Sequence, residues 1–477
     1  MALSLTVTSC EKFLDVKPQS QIPTEDLFLK ENGFEDALMG CYVKMTSQDL
    51  YGSFLSYGGI DHMAQYYSHP SASSMEGALR EFNYKNEFVE MQLKATYNDF
   101  YNAILHANEV IEHINLPNAA EVVKSEAKRN MLKGEALALR AYLHFDVQRL
   151  FGQMPQNAEK TISLPYSEVT GVEDRPLYNF NDYLGKVLAD LSEAEKLLAE
   201  DPAITYNLRE QMHEEVEDNF MQYRKFRMNY YAVKALQARV YLYIGEKEKA
   251  YAAAKELVDL KEANGQNYFK LAGEEDFSHG HYALPSETIF GLSSAQLDDP
   301  NVDHLFTNRE PSSFEMNFSI QRKNEMFHGR NTAVNNRYGK IWGTQTSVVG
   351  TQLNIYKKYL QNDKNPSDTD KLNFRCFYPM LRFSEIYLIM METSDNLDEI
   401  NQLFYTYMVA RNEQPAPFEN IEAAKEEIIK EYRREFMAEG QMFFTYKRLG
   451  TEQMLWRNQS VGENNYIAPV PASEIVK

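Results

Sequence analysis

This chain is poor in cysteine, tryptophan and positive charge. Its 477 residues include 3 Cys and 2 Trp, and 49 Lys and Arg stand against 69 Asp and Glu. So few cysteines exclude a disulfide framework for a fold of this size. Only Cys41 and Cys376 follow Cys10, and two buried free thiols are expected rather than a pair. A net charge of −20 excludes the basic field that would draw nucleic acid or an anionic lipid surface. Beyond the first few residues no run of about 18 apolar residues occurs, so no helix is expected to span a bilayer. Also missing are a G-x-S-x-G nucleophile turn, an H-E-x-x-H zinc helix and a phosphate-binding glycine loop. His279 and His281 could offer two ligands to a metal, yet no third stands at suitable spacing, and neither a metal nor another cofactor is expected. The many carboxylates make some pair at about 5–10 Å inevitable, so their abundance is no evidence for glycoside hydrolysis.

Aromatic residues are plentiful: 31 Tyr and 27 Phe, with an aromatic share of 13%. Many of these rings must fill a core, and the surplus of Tyr leaves some for a binding surface. The hydrophobic pattern is helical. Tyr97, Phe100, Tyr101, Ile104, Ala107, Val110, Ile111 and Ile114 recur at three- and four-residue steps, which predicts a helix over 93–114. Helices are expected likewise at 33–45, at 121–150 (ended by Gly152 and Pro155), and at 183–198, 230–244, 246–260, 379–392, 396–411 and 421–439. Strand signals are few and short, 287–292 among them. The expected fold class is all-α: a tetratricopeptide-repeat-like helical scaffold with long irregular loops and minor short strands. The repeat-like element is the pair at 235–258. There Ala238 and Ala250 are small enough for antiparallel helices to approach, and Gly245 allows the tight turn between them. Residues 132–151, with Ala136, Ala141 and Tyr142, read as a degenerate second member. Repeats of this kind present concave surfaces and perform no chemistry themselves.

The stretch 264–375 breaks the pattern. It carries Phe306, Phe314, Phe318, Phe327, Tyr338 and Trp342 among scattered Asn, without sustained helical periodicity. A loop region this long is functional or disordered, and its ring content argues against disorder. A second polar-aromatic stretch, 61–84, holds His62, Tyr66, Tyr67, His69, Arg80, Phe82 and Tyr84. Rings flanked by Asn, Asp and Arg suit sugars, because the ring stacks on the C–H face while amides and charges bond the hydroxyls. The competing reading is that these rings pin long loops to the helical body. The candidate ligand-binding residues are Tyr66, Tyr67, Arg80, Tyr282, Asn336 and Trp342; none is assigned a catalytic role.

Val7-Thr8-Ser9-Cys10 reads as the end of a bacterial lipoprotein signal. Small flanking residues let a peptidase reach the backbone, and the thiol is the nucleophile that takes up the diacylglyceryl group. Residues 1–10 are thus expected to be a truncated leader, with Cys10 lipidated and the protein held on a membrane surface without crossing it. Residues 11–32, with Pro18 and Pro23, read as a tether. The remaining boundaries are a helical region with repeat-like pairs at 33–263, a loop-rich ligand-binding region at 264–375, and a C-terminal helical region at 376–477.

Residues 431–450 read EYRREFMAEGQMFFTYKRLG and closely resemble the C-terminal signature of the SusD/RagB family of outer-membrane lipoproteins, ERR-x-E-x-x-x-EG-x-R-x-x-D-x-x-R. Glu431, Arg433, Arg434, Glu435, Glu439, Gly440, Lys447, Arg448 and Gly450 stand where the family has them, while Met442, Thr445 and Leu449 depart. Residues 381–388 resemble the family's IRYAEVYL, and 467–471 its closing LWPIP. Tyr101, Ile104, Ala107 and Asn108 fit Y-x-x-I-x-x-AN; Arg140, Ala141 and Tyr142 through Gly152 and Pro155 fit RAxxYFxLxxxFGxxP. Phe13, Leu14 and Asp15 match the segment that follows the lipid cysteine, and Arg411 is the one arginine kept of R-x-R-A.

The residues themselves suggest a structural device. Glu431 and Arg434 lie at i,i+3, where an exposed pair contributes about 0.2–0.5 kcal/mol. Partly buried against Arg382, Glu385 and Arg448, the same groups would form a network sensitive to the loss of any member. Gly440 is expected to end the helix in a left-handed conformation. The resemblance implies a lipid-anchored protein on the outer leaflet of the Bacteroidetes outer membrane. Such a protein caps a SusC-like TonB-dependent transporter, binds an oligosaccharide (in some members a peptide) and has no hydrolytic activity. Its ligand residues vary between members, so the six candidates rest on composition alone. The rival classes are a glycoside hydrolase, a peptide-binding RagB-type cap and a pure assembly adaptor of the transporter.

Overall fold

The computed structural model describes residues 24–67, 71, 73–160, 162–171, 175–208, 212–294, 297, 318–346, 352–359 and 377–475. Cys10, Cys376, His69, Phe306, Phe314 and most of the expected tether lie outside the described residues.

The longer helices are α1 (Glu31–Met45), α2 (Glu87–Ile114), α3 (Glu126–Phe151), α4 (Phe180–Leu197), α5 (Tyr230–Ile244) and α6 (Lys247–Val258). After the loop-rich middle, with its short α7 (Ile320–Met326), come α8 (Phe383–Thr393), α9 (Leu397–Ala410), α10 (Ile421–Glu435) and α11 (Met442–Leu449). Asparagine sets many of their starts. Asn86, Asn179, Asn229, Asn396 and Asn420 each accept a hydrogen bond from a first-turn N–H, worth about 1 kcal/mol per cap. Asn86 begins α2 six residues before the apolar stripe does; Phe88 and Met91 on that first stretch are exposed.

Helix α3 is the axis of the N-terminal half. Every residue from Gly134 to Phe151 is buried, so its polar groups need partners on all sides. Arg140 bonds Asp190 of α4 through both Nε and Nη2 (2.7 Å each) and Asn108 of α2 (2.9 Å). Glu135 takes Arg227 (3.0 Å), Arg224 and the Tyr42 hydroxyl of α1 (2.8 Å). The expected start at 121 falls instead at Glu126. A separate turn, Ala119–Val122, ends first, and the Ser125 side chain caps a new helix.

The α5–α6 pair has the anticipated repeat-like form. Ala238, Ala250 and Ala254 are fully buried, and Gly245 takes φ +84° at the turn. No described helix is long and apolar enough to cross a membrane. Cys41 is a free, buried thiol donating to the carbonyl of Ala103 (3.3 Å); burial pushes it up to about 12.

Strands form small antiparallel pairs: β1 (Thr288–Ser293) with β4 (Phe377–Arg382), and β2 (Trp342–Thr346) with β3 (Gln352–Tyr356). The expected helix over 379–392 is corrected here, since 379–382 belong to β4 and α8 begins at Phe383. A short, wholly buried apolar run fits either element, and the partner strand 288–293 decides for β. Helix α10 also ends earlier than expected, at Glu435. Gly440 does adopt φ +68°, but in the turn beyond the helix, where a Cβ would lie 1.8 Å from the carbonyl oxygen of Leu55. Close chain approach, and not helix termination, requires glycine at this position.

The signature residues build a buried charge network that includes the expected Arg382 and the Glu431–Arg434 pair, joined by Glu287, Arg337 and Arg411. Arg382 bonds Glu435 (2.7 Å), Glu439 (2.6 Å) and Glu287. Arg411 bonds Glu435 (2.9 Å) and Glu287 (3.1 Å), and Arg337 bonds Glu431 (2.7 Å) and Glu435 (2.9 Å). Glu385 and Arg448 stand outside this set, paired with Arg239 (2.6 Å) and Glu392 (2.8 Å). Burial alone would raise the Glu435 carboxyl, but Arg411, Arg382 and Arg337 together hold it well below the usual carboxylate range. Lys447, also buried, donates to the carbonyls of Arg149 (2.8 Å) and Gly152 (2.7 Å) and so closes the end of α3.

Candidate functional site

The two tryptophans, far apart in sequence, are joined through one ring. The β2–β3 register sets Trp342 opposite Tyr356, with ring centres 4.8 Å apart. Phe318, bridged to Asn354 of β3 just before α7, packs 4.8 Å from Trp342 and stands edge-on to Trp456 at 5.8 Å. Tyr66 reaches Trp456 from the other side at 6.5 Å. Trp342 is buried and its indole N–H has no hydrogen-bond partner among the described residues. Trp456 is partly buried, and its N–H donates to Glu325 (2.6 Å).

Cations cover this ring surface. Helix α7, capped by the Ser319 hydroxyl, presents Arg322 to Trp456 at 5.2 Å and Lys323 to Tyr338 and Trp342 at 3.9 and 5.4 Å. Arg322 Nη1 also donates to the carbonyls of Gln65, Tyr66 and Tyr67 (2.8, 3.1 and 2.7 Å), fastening α7 to that loop. Arg433 lies 5.9 Å from the Trp456 ring. Burial, with Lys357 nearby, pushes the Lys323 ammonium down to about 8; burial and Arg80 push Arg322 down to about 10.

The backbone here is strained. Gln65, Phe82 and Trp456 have φ of 68°, 55° and 68°, left-handed values that cost a non-glycine residue about 1–3 kcal/mol. Arg80 sits among them. Its Nε donates to Gln65 Oε1 (3.1 Å), its Nη2 to the Trp456 carbonyl (3.3 Å), and its own carbonyl accepts from Gln65 Nε2 (2.9 Å). Strain held by several side chains is a mark of a site whose geometry is fixed before a ligand arrives.

Of the six sequence candidates, the fold thus brings Tyr66, Arg80 and Trp342 into one ring cluster. Tyr66 is fully buried and its hydroxyl donates to the Arg433 carbonyl (2.7 Å). Tyr67 lies deeper, donating to the Tyr57 carbonyl (2.7 Å). Tyr282 joins through Lys357, which lies 4.8 Å over its ring and donates to its hydroxyl (3.2 Å). Asn336 is buried in the short helix Asn336–Gly339, where its main-chain N–H donates to the Arg411 carbonyl (3.1 Å). Sequence reasoning missed Trp456, Arg322 and Lys323. Trp456 lies outside both polar-aromatic stretches, yet a tryptophan that is one of only two was itself a signal.

Three other features contribute none of the rings or cations named above. Glu31, Glu35 and Asp218 come close enough to hold a cation, but they already surround the Lys128 ammonium. An open cleft of about 700 Å³ is lined by Tyr84, Lys85, Lys160, Glu463 and Asn464 among others, and none of the six candidates lines it. His279 and His281, the two conceivable metal ligands, stack at 5.8 Å.

Residues 12–242 match the SusD-like family model described as starch-binding and associating with the outer membrane. A SusD-like protein of Formosa agariphila is 30% identical over 195 residues, which is 40% of this chain and 35% of that protein; the match thus spans about a third of the relative. Across nearly the whole length the fold matches a SusD superfamily protein of Bacteroides thetaiotaomicron, with TM-score 0.70, 20% identity and coverage of 94% of this chain and 97% of that one. A laminarin-binding SusD-like protein gives a TM-score of 0.65 at 16% identity, covering 94% and 97%. With the helical scaffold and the buried network built from the C-terminal signature, these matches make the chain similar to the SusD-like family over residues 12–242 and similar in fold to SusD superfamily structures over nearly its whole length.

Proposed function

We propose that this protein is a non-catalytic, glycan-binding protein of the outer membrane. It captures an oligosaccharide on the ring surface around Trp456 and Trp342 and delivers it to a SusC-like TonB-dependent transporter, while a lipid on Cys10 holds it at the cell surface. The observation that carries the reading is the run Tyr66–Trp456–Phe318–Trp342–Tyr356, with ring centres 4.8–6.5 Å apart, set among guanidinium and ammonium donors. Sugars bind such surfaces through C–H faces on rings and hydroxyls on charged donors. Arg80 lies at this surface, Tyr66 and Trp342 form the buried ring layer beneath it, Tyr67 and Tyr282 support that layer, and Asn336 packs instead against the Arg411 carbonyl. The family's description as starch-binding and the laminarin-binding neighbour favour a glycan over a peptide. The interior carboxylates Glu287, Glu431, Glu435 and Glu439 are engaged by arginine, which supports binding over hydrolysis.

The test is calorimetric titration of the wild-type chain and a Trp456→Ala variant against a glycan panel, with reducing-sugar release followed in parallel. Binding weakened by the substitution, without sugar release, is expected. Undiminished affinity in the variant would remove Trp456 from the site, and released sugar would return the enzyme reading. A Cys10→Ser variant is expected to leave the membrane fraction with ligand affinity intact.

A further inference from the structure

The charge on the ring surface runs against the charge of the chain. Acidic residues outnumber basic ones 69 to 49 overall, yet Arg80, Arg322, Lys323, Lys357, Arg433 and Arg457 gather around the rings. Glu81 and Glu325 are the described carboxylates beside these cations, while Asp61, whose charge acts on Tyr66 and Tyr67, accepts from the Ala438 N–H (2.6 Å). Glu81 pairs with Arg457 (2.9 Å), and Glu325 accepts from the Trp456 indole (2.6 Å) and Gln321 (2.7 Å). Among the described residues, no carboxylate lies within ion-pair distance of Arg80, Arg322, Lys323, Lys357 or Arg433, although interior arginines of the same chain hold two or three each.

Lys323 states the imbalance most plainly. It is buried, and its ammonium faces the rings of Tyr338 and Trp342 with no carboxylate of the described residues within ion-pair distance. Ring faces alone compensate a cation only partly, by about 0.5–2 kcal/mol, and a buried charge is normally paired. Its depressed proton affinity, caused by burial and by Lys357, is the response of a cation that lacks its counter-charge. Arg322 and Arg80 are pushed down too, by burial and by neighbouring arginines. Unpaired N–H groups point the same way, since the Trp342 Nε1 and the Nε atoms of Arg433 and Arg457 are buried without acceptors. A surface with unused donors and like charges held together is short of acceptors carrying negative charge.

We infer that the glycan bound at this surface is acidic, its carboxylate or sulfate groups seated against Lys323, Lys357 and the arginines around Trp456. This rests on the glycan-binding reading and narrows it. Sugar rings stack on the partly exposed Trp456, and the acidic substituents supply the missing acceptors. A neutral glycan of the same length leaves the cations unpaired and binds more weakly.

The test titrates the full chain with length-matched oligosaccharides of three kinds: neutral laminarin fragments, oligogalacturonate as the carboxylate, and sulfated carrageenan fragments. At least one acidic probe is expected to bind ten times or more tighter than the neutral one in low salt. That advantage should shrink as ionic strength rises toward about 0.5 M. Lys323→Gln should lose about tenfold more affinity for the acidic probe than for the neutral one, while Lys323→Arg keeps the preference. The wild-type salt series carries the test even if the glutamine variant folds poorly. Tight, salt-insensitive binding of the neutral probe, unaltered by K323Q, overturns the acidic preference and leaves glycan binding standing. Failure of all three probes to bind overturns both. The two acidic arms tell a carboxylate site from a sulfate site.

Discussion

Arginine gathers in two regions of this protein, and the two are built on opposite rules. In the interior, Arg382, Arg411 and Arg337 are buried and meet Glu287, Glu431, Glu435 and Glu439, so that each charge is answered. Around Trp456, Arg80, Arg322, Arg433 and the neighbouring lysines face rings and main-chain carbonyls instead. The first arrangement fixes one chain fold, because removing any member leaves a buried charge alone. Neutralising Lys323 in the second breaks no ion pair of the described residues, whereas Arg80 and Arg322 also hold carbonyl oxygens. A paired buried cation is structural, while one that meets rings without an ion pair is what the proposed acidic ligand would answer.

The comparison breaks most readily at Arg382. Arg382→Met should cost about 3–5 kcal/mol in urea unfolding, since Glu435, Glu439 and Glu287 lose a shared partner. A loss under about 1 kcal/mol would make the network dispensable. Next comes Gly440→Ala, which combines a left-handed φ with a clash against the Leu55 carbonyl and should cost about 2–3 kcal/mol; thermal melting would measure it. Acid should dissolve the same region. Glu435 and Glu431 are held below their ordinary range in the folded state by their arginines, against the upward push of burial. Their stabilisation is therefore complete above about pH 5 and lost as pH falls through the unfolded value near 4.3 and below. A stability profile flat from pH 7 to 3 would contradict this. Trp456→Ala should reduce glycan affinity about tenfold, or about 1.4 kcal/mol, with little change in melting temperature. The smallest effect belongs to Lys323→Met, which deletes an unpaired buried charge and should shift stability by less than about 1 kcal/mol. A cost near that of Arg382→Met would erase the contrast between the two regions.

How far the sequence alone could be read differs between these regions for the same physical reason. The apolar spacing of 93–114 and the small residues Ala238 and Ala250 announced α2 and the α5–α6 pair, because helix faces repeat locally. The ends were less visible. The strand at 377–382 looked helical until its partner at 288–293 was in place, and Gly440 looked like a helix stop when its constraint comes from Leu55. The site was legible only in its materials. Tyr66, Arg80 and Trp342 were chosen for their chemistry, and the fold does assemble them, but around Trp456, Arg322 and Lys323, which no local pattern marked.

By itself the sequence determined the helical scaffold, the repeat-like pair, the family signature and the lack of any long apolar span, since each depends on residues within a few turns of one another. The tertiary structure decided which charges are answered and which are not. Arg411 and Arg433 look alike in sequence, yet one is enclosed by glutamates and the other faces a tryptophan ring. Pairing depends on distance in space, and residues that meet in space need not be near in sequence.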